Sequence, residues 1–291
     1  MLRLSISILA TSLLVASCRP EPIEIEIPQE AGKPAISSVC LDPHTVFISA
    51  SYTLSSLQNL QDTSAVANMA RAQRDLLVDS GLATITREGG APQTLHMIAP
   101  GFFGRRDLNL VAGARYTLTV KDYRKGTVTT ATTTFIQKPS VDTVSPERLP
   151  GQTAGVKLTL RLKDVQPGSY YFMSYRSAND ARDVAAPLPL SVGALQVYKS
   201  KQIELFNTAN VNSGYLERLF MLDVNADDTL MVQIGRVDKA YYDYLDAYKR
   251  SGALINQLSG EPINLPTNIK TGFGFFSLFE PVRKVWYLNQ M

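Results

Sequence analysis

Histidine is scarce in this chain, with only two among 291 residues, and this limits the catalytic and metal-binding sites that it could form. His44 follows Pro43 in a predicted turn, and His96 lies in a predicted strand; neither has the spacing of a metal ligand. The sequence also lacks a Gly-x-Ser-x-Gly elbow and a glycine-rich phosphate loop. We expect no catalytic residue, metal or cofactor. A hydrolase built on two carboxylates that the fold brings together stays open as an alternative.

Charge imbalance and long apolar runs are lacking as well. The formal net charge is +3, with 29 basic against 26 acidic residues and no dense basic cluster. Nucleic-acid binding therefore has no electrostatic basis. The N-terminal apolar run, residues 6–15, is shorter than the roughly 20 residues that a membrane-spanning helix needs, and no later stretch reaches that length.

The N-terminal run has the features of a secretory signal peptide. Arg3 precedes it, and the small residues Ala16 and Ser17 lead to Cys18. The tetrapeptide of residues 15–18 resembles the lipobox of bacterial lipoproteins, which implies that 1–17 is removed and that Cys18 receives fatty acyl chains such as palmitate. Two or more acyl chains anchor a protein stably to a membrane. The alternative is ordinary cleavage with Cys18 left as a plain thiol.

Cysteine is nearly absent from the rest of the chain. Lipidation of Cys18 leaves Cys40 as the one remaining thiol and excludes an internal disulfide. Stability must then come from core burial, which the 45% hydrophobic composition allows. Cys40 lies between Val39 and Leu41, and this context predicts a buried small apolar side chain.

Residues 18–34 contain four prolines and read as an extended tether. Glu21, Glu24 and Glu26 resemble the acidic signals that send some Bacteroidota lipoproteins to the outer face of the outer membrane. A solvated acidic linker is the alternative. We therefore expect a lipid-anchored protein of the outer membrane, with the periplasmic and cell-surface faces both open.

The body after the tether has the period-two alternation of β-strands. Val46, Ile48 and Ala50 share one face of such a stretch, and the Thr-rich segment 115–136 predicts a hairpin. Helical spacing of apolar residues predicts an insert near 62–80. The break at Lys138-Pro139-Ser140 predicts a boundary between domains of residues 35–138 and 139–291.

The second half repeats the strand pattern without repeating the sequence. Strands are predicted at 156–162, 168–175, 202–206, 220–224, 229–235, 273–279 and 282–288. A helix is predicted near 239–250, beginning at Asp238 and ending at Ser251-Gly252. We expect a mainly β fold with two immunoglobulin-like β-sandwich domains in tandem.

Aromatic residues are concentrated from Tyr241 to the end of the chain. A helix that packs Tyr241, Tyr244 and Tyr248 onto Phe273 and Phe275 would bury much of this set as core. The alternative is a binding surface, because aromatic rings give large rigid contact areas. The candidate binding residues are Tyr242, Phe276 and Trp286.

Several of these features together resemble one protein family. They are the lipobox, the acidic tether, the Gly113-x-x-Tyr116-x-Leu118-x-Val120 strand, and the C-terminal tyrosine-rich helix followed by Glu261-Pro262-Ile263 and Asn268-Ile269-x-x-Gly272-Phe273-Gly274-x-Phe276. They resemble a family of Bacteroidota outer-membrane lipoproteins known as domain of unknown function 4249. The insert near 62–80 departs from the usual pattern.

The resemblance implies a protein without established activity, encoded among TonB-dependent uptake systems. We therefore expect a non-enzymatic binding or accessory subunit, with the membrane and a TonB-dependent transporter as its partners. The alternative is a structural or adhesive cell-surface module that binds no small ligand.

Overall fold

A computed structural model describes residues 32–53, 76–149, 154–163, 165–177, 202–211, 214–225, 228–251 and 264–291. The predicted signal peptide 1–17, Cys18 and the tether up to residue 31 lie outside the described residues, as does most of the predicted helical insert. At the described end of that insert, Leu77 forms an antiparallel bridge with Ser51 and Val78 is buried. The described helix is neither long nor apolar enough to cross a membrane.

The described chain is built almost entirely from β-strands. In order they are β1 Pro34–Asp42, β2 Thr45–Tyr52, β3 Gly81–Arg87, β4 Pro92–Ala99, β5 Phe102–Arg105, β6 Arg115–Asp122, β7 Thr127–Thr134, β8 Val141–Arg148, β9 Ala154–Leu162, β10 Tyr170–Ser177, β11 Gln202–Asn207, β12 Leu216–Asn225, β13 Thr229–Val237, β14 Phe273–Phe275 and β15 Val282–Tyr287. A helix, α1 Lys239–Ser251, lies between β13 and β14, and a short 3-10 turn, Leu288–Gln290, follows β15.

The first sandwich is one continuous sheet that folds over its own core, in the order β14-β1-β2-β5-β4-β3-β6-β7. Strand β4 turns the sheet, because its first half pairs with β3 and its second half with β5. A register shift between Met97 and Ala99 marks an irregularity of the kind that bends a strand. Ile48 on β2 and Leu118 on β6 are each at most 1% exposed and pack in the same core.

The second sandwich consists of two separate sheets, β12-β9-β8 and β11-β10-β13-β15. Its core contains Leu158 and Leu160 from one sheet and Met173, Val232 and Ile234 from the other. Its strands β8, β9, β10, β11, β12, β13 and β15 correspond in order to β1 to β7 of the first sandwich. In each sandwich the first strand pairs with the second and the second with the fifth, while the other four strands follow in the order fourth, third, sixth, seventh. The prediction of a mainly β fold with two Ig-like sandwiches is therefore confirmed.

Helix α1 covers part of the outer face of the second sandwich. Its first turn is capped by Asp238, whose Oδ1 accepts the Tyr241 backbone N–H at 2.7 Å. Tyr241 and Leu245 are buried and pack with Phe172 and Val237 of the sheet. The predicted helix near 239–250 is confirmed, because its apolar spacing matches the face that it buries.

The chain then returns to the first sandwich in a crossover segment, residues 264–281. Its strand β14 pairs parallel with β1, while Ile269 forms a bridge with Ala131 of β7. The segment therefore lies between the first and last strands of that sandwich, and its residues Ile269, Phe276 and Leu278 complete the core. A domain boundary near residue 138 stays a prediction, but this part of the predicted second domain, 139–291, belongs structurally to the first sandwich.

Candidate functional site

The two sandwiches differ at the opening between their first and last strands. In the first, the crossover segment fills this opening. In the second, the equivalent strands β8 and β15 are edges of different sheets and do not pair with each other. A cleft of about 870 Å³ lies between them. We call it the lateral cleft.

The lateral cleft carries an excess of positive charge. Five basic residues and two acidic residues line it: Lys138, Lys163, Arg236, Arg283 and Lys284, with Asp142 and Glu280. Because no other charged side chain belongs to the described lining, the cleft has three more positive than negative groups. Its field therefore favours an anionic ligand.

Three of the five cations have a protein partner. Lys138 Nζ lies 3.2 Å from Glu280 Oε1, and Lys163 Nζ lies 4.0 Å from Asp142 Oδ1. Arg283 Nη1 donates to the Leu41 carbonyl at 2.9 Å, which ties β15 to the end of β1. Within the described chain, neither Arg236 nor Lys284 forms an ion pair.

Two aromatic residues complete the lining. Tyr171 is 3% exposed and stacks on Phe206 with ring centroids 5.4 Å apart. Burial raises the pKa of the Tyr171 phenol, against smaller opposing effects of Ser169 and Arg236, so the hydroxyl remains protonated at neutral pH. Trp286 is half-buried and packs against the second core on one side while it lines the cleft.

The structure does not bring the three predicted binding residues together. Trp286 lines the lateral cleft, whereas Tyr242 is half-buried on α1 with its ring centroid 5.1 Å from that of Tyr170. Phe276 has no exposed surface, since its ring fills the first core beside Leu278. Direct ligand contact by Phe276 is therefore excluded in this structure, because the residue following β14 points into the closed sandwich.

The aromatic residues of α1 are mainly packing residues. The rings of Tyr241 and Tyr244 lie 5.2 and 5.3 Å from that of Phe275. Tyr248 and Phe273, which were predicted to be part of this core, are 50% and 46% exposed and lie at its edge. The concentration of aromatic residues thus marks the junction of α1, the second sandwich and the crossover segment.

The cations of the lateral cleft were missed by the sequence analysis, because isolated basic residues are common on protein surfaces. A signal was nevertheless present. Arg236 continues the core-facing positions Val232 and Ile234, and Lys284 lies between Val282 and Trp286 on the equivalent face of β15. Charged residues at inward positions of otherwise apolar strands would have indicated an unfilled opening.

The histidines and Cys40 have structural environments. His44 Nδ1 donates to the Leu108 carbonyl at 2.7 Å, and His96 lies in β4 as predicted. Cys40 is fully buried, which confirms its prediction, and burial raises the pKa of its thiol to about 12. Among the residues that the structure describes, no three His, Cys, Asp or Glu side chains are grouped to hold a metal ion.

Comparison with known proteins gives the family. No curated protein sequence matches the chain. Among solved structures, a two-domain fibronectin type III segment of chicken tenascin is 11% identical, with a TM-score of 0.24, over 88% of this chain and 99% of that one. Chicken CNTN1 domains FN1–FN3 are 12% identical, with a TM-score of 0.27, over 72% of this chain and 62% of that one. The model of the family described as "Domain of unknown function (DUF4249)" matches residues 21–284, and the chain belongs to that family.

Proposed function

We propose that this protein is an outer-membrane lipoprotein, anchored through acyl chains on Cys18, that acts as a non-enzymatic binding or accessory subunit beside a TonB-dependent uptake system. The lateral cleft is the observation that carries the binding role. It is an open, charged and partly aromatic cavity in the second sandwich, whose opening no segment of the described residues fills. Sites of this volume are typical of small-ligand binding.

Binding is favoured over hydrolysis by the arrangement of the carboxylates in the cleft. Asp142 and Glu280 each face a lysine, at 4.0 and 3.2 Å. A glycosidase needs two carboxyl groups that act on one bond, with one of them protonated. Carboxylates that are each paired with a cation instead neutralise charge and position the lysines.

Lipidation is tested by labelling cells with a palmitate analogue and comparing the protein with its Cys18→Ala variant. We expect label on the normal protein, and mass spectrometry should find diacylglycerol on a chain that begins at Cys18. The variant should remain unlabelled and unprocessed. An unmodified Cys18 thiol in the membrane-derived protein would refute the anchor, since the remainder of the sequence supplies no apolar run of spanning length.

The accessory role is tested by purification in mild detergent after crosslinking of intact cells. We expect a TonB-dependent transporter to copurify with the normal protein and to be lost with the non-lipidated Cys18→Ala variant. Repeated recovery of the lipidated protein without any transporter would contradict this role. Protease treatment of intact cells assigns the membrane face, because only a surface-exposed body would be cleaved.

A structural or adhesive surface module is the second candidate. It is favoured by the crossover segment, which joins the two sandwiches through a shared core and suits a stiff spacer. A spacer needs no ligand in the lateral cleft. Thermal unfolding in the presence of a ligand library separates the two, since only a binding protein should be stabilised by mass action.

A further inference from the structure

We infer that the lateral cleft binds an acidic saccharide, with Lys284 and Arg236 contacting its carboxylates and Trp286 supporting a sugar ring. The inference rests on the proposed function, because it names the ligand class of the same cleft. Three observations carry it: the position of the two cations, the spacing of the three side chains, and the features of the cleft edges.

Both cations occupy positions that face inward in their strands. Lys284 is paired with Val232 and Trp286 with Leu230, and both of these β13 residues are buried in the core. Arg236 follows on the same side of β13 and is paired with Tyr171. Neither cation has an ion-pair partner within the described residues. Arg236 beside the buried Tyr171 phenol and Lys284 farther along the cleft therefore offer two separate contacts for negatively charged oxygen atoms.

The three residues follow one another along the sheet that lines the cleft. Trp286 and Lys284 are two residues apart on one face of β15, which corresponds to about 6.5 Å along a strand. Arg236 lies four residues beyond Val232, the β13 residue opposite Lys284, so its backbone is about 13 Å farther along the strands. This spacing suits an elongated ligand with a ring at one end and several acidic groups.

The cleft edges disfavour an added peptide strand. Strand β8 has a register shift between Val141 and Thr143 and contains Pro146, which lacks a backbone N–H. Strand β15 presents the exposed charged residues Arg283 and Lys284. Bulges, prolines and edge charges are features that block strand addition. A saccharide does not need the continuous backbone pairing that such a peptide would use.

Trp286 is the one tryptophan of the chain, so intrinsic fluorescence reports directly on the cleft. The mature lipoprotein in detergent is titrated with trigalacturonate, with its fully methyl-esterified form as the neutral control. We expect a saturable fluorescence change with the acid and none with the ester. Added salt should weaken the binding of the acid.

Variants identify the contacts. Lys284→Gln and Arg236→Gln should each weaken trigalacturonate binding about tenfold or more, because each removes a charge-assisted contact. Lys157→Gln serves as the matched control, since Lys157 lies outside the cleft lining and pairs with Glu147 at 2.9 Å. It should bind like the normal protein. Thermal unfolding of each variant establishes that the fold is retained.

Four results would overturn the inference: equal binding of acid and ester, unchanged binding in both cleft variants, no response to trigalacturonate, or saturable binding of an oligoglutamate peptide in its place. These results leave the proposed function standing if Cys18 is lipidated and a transporter copurifies. Conversely, trigalacturonate binding by a protein with an unmodified Cys18 would support the inference and refute the membrane anchor.

Discussion

Cys40 shows how burial sets chemical reactivity. The side chain is completely inaccessible, its Sγ–H points to the Asp42 carbonyl at 3.3 Å, and burial raises the pKa of the thiol to about 12. The thiolate is the form that attacks iodoacetamide, so both the burial of Cys40 and its lack of ionisation oppose reaction. We expect iodoacetamide at pH 8 to label Cys40 only after the protein is denatured.

Mass spectrometry of the peptide that contains Cys40 measures this labelling without interference from Cys18. The raised pKa also predicts a pH effect. The thiol ionises near pH 9 in the unfolded chain but near pH 12 in the folded one. Its contribution to stability is complete below pH 9 and is lost as the pH rises towards 12. Rapid labelling in the native state would contradict this description.

Ser38 connects β1 to the crossover segment with a single hydroxyl group. Its Oγ donates to the Ser277 carbonyl and accepts from the Ser277 N–H, each at 2.8 Å and both buried. Ser38→Ala would leave two buried backbone groups without a partner. We expect the free energy of unfolding to fall by about 2 kcal/mol or more, measured by urea denaturation.

Ser37→Ala is the matched control, because Ser37 is the neighbouring, half-exposed residue of the same strand. It should change the free energy of unfolding by less than about 0.5 kcal/mol. Equal effects of the two substitutions would show that the Ser38 hydroxyl does not hold the crossover segment.

The stability of helix α1 depends on the hydrogen bonds of its first turn. Asp238 is the acceptor for the Tyr241 N–H, and the helix has no acidic residue in its first turn that could replace it. We expect Asp238→Ala to lower the free energy of unfolding by about 1 kcal/mol. Asp246→Ala removes only an exposed pair with Arg250 and should cost less than half as much. Chemical denaturation compares the two, and an equal loss would contradict the capping role.

The crossover segment shows what the sequence could and could not predict. Local patterns identified the 115–136 hairpin and α1, because alternation and helical spacing are both local properties. The stretch 273–279 was predicted as one strand, yet the strand ends at Phe275 and pairs with β1 about 240 residues earlier. No local pattern encodes a partner at that separation.

The glycines of the Gly272-Phe273-Gly274 motif, which resembles the family pattern, have a structural role in this segment. Gly274 has φ of +89°, and a Cβ there would collide with the Ile36 carbonyl of β1. Asn268 acts as a further link, since its side chain both accepts from the Phe276 N–H and donates to the Phe276 and Thr132 carbonyls. These residues therefore fix the position of the crossover segment against the first sandwich.

The crossover segment belongs to the first core, although the strands before and after it in the chain belong to the second. Phe276 and Leu278 complete the first core, whereas β13 before it and β15 after it belong to the second. Arg283 adds a contact from β15 to the Leu41 carbonyl. We expect unfolding of the second sandwich to release the segment and so to expose the first core.

We therefore expect the two sandwiches to unfold in one transition. Trp286 fluorescence reports on the second, because it is the one tryptophan, and pulsed thiol labelling of Cys40 reports on the first. The two probes should give the same urea midpoint. Ser38→Ala, which lies in the first sandwich, should lower both midpoints equally, because the cost is shared by one cooperative unit. Labelling of Cys40 at a lower urea concentration than the Trp286 transition would instead show that the first sandwich opens alone. The crossover segment would then fill the first core without coupling the unfolding of the two sandwiches.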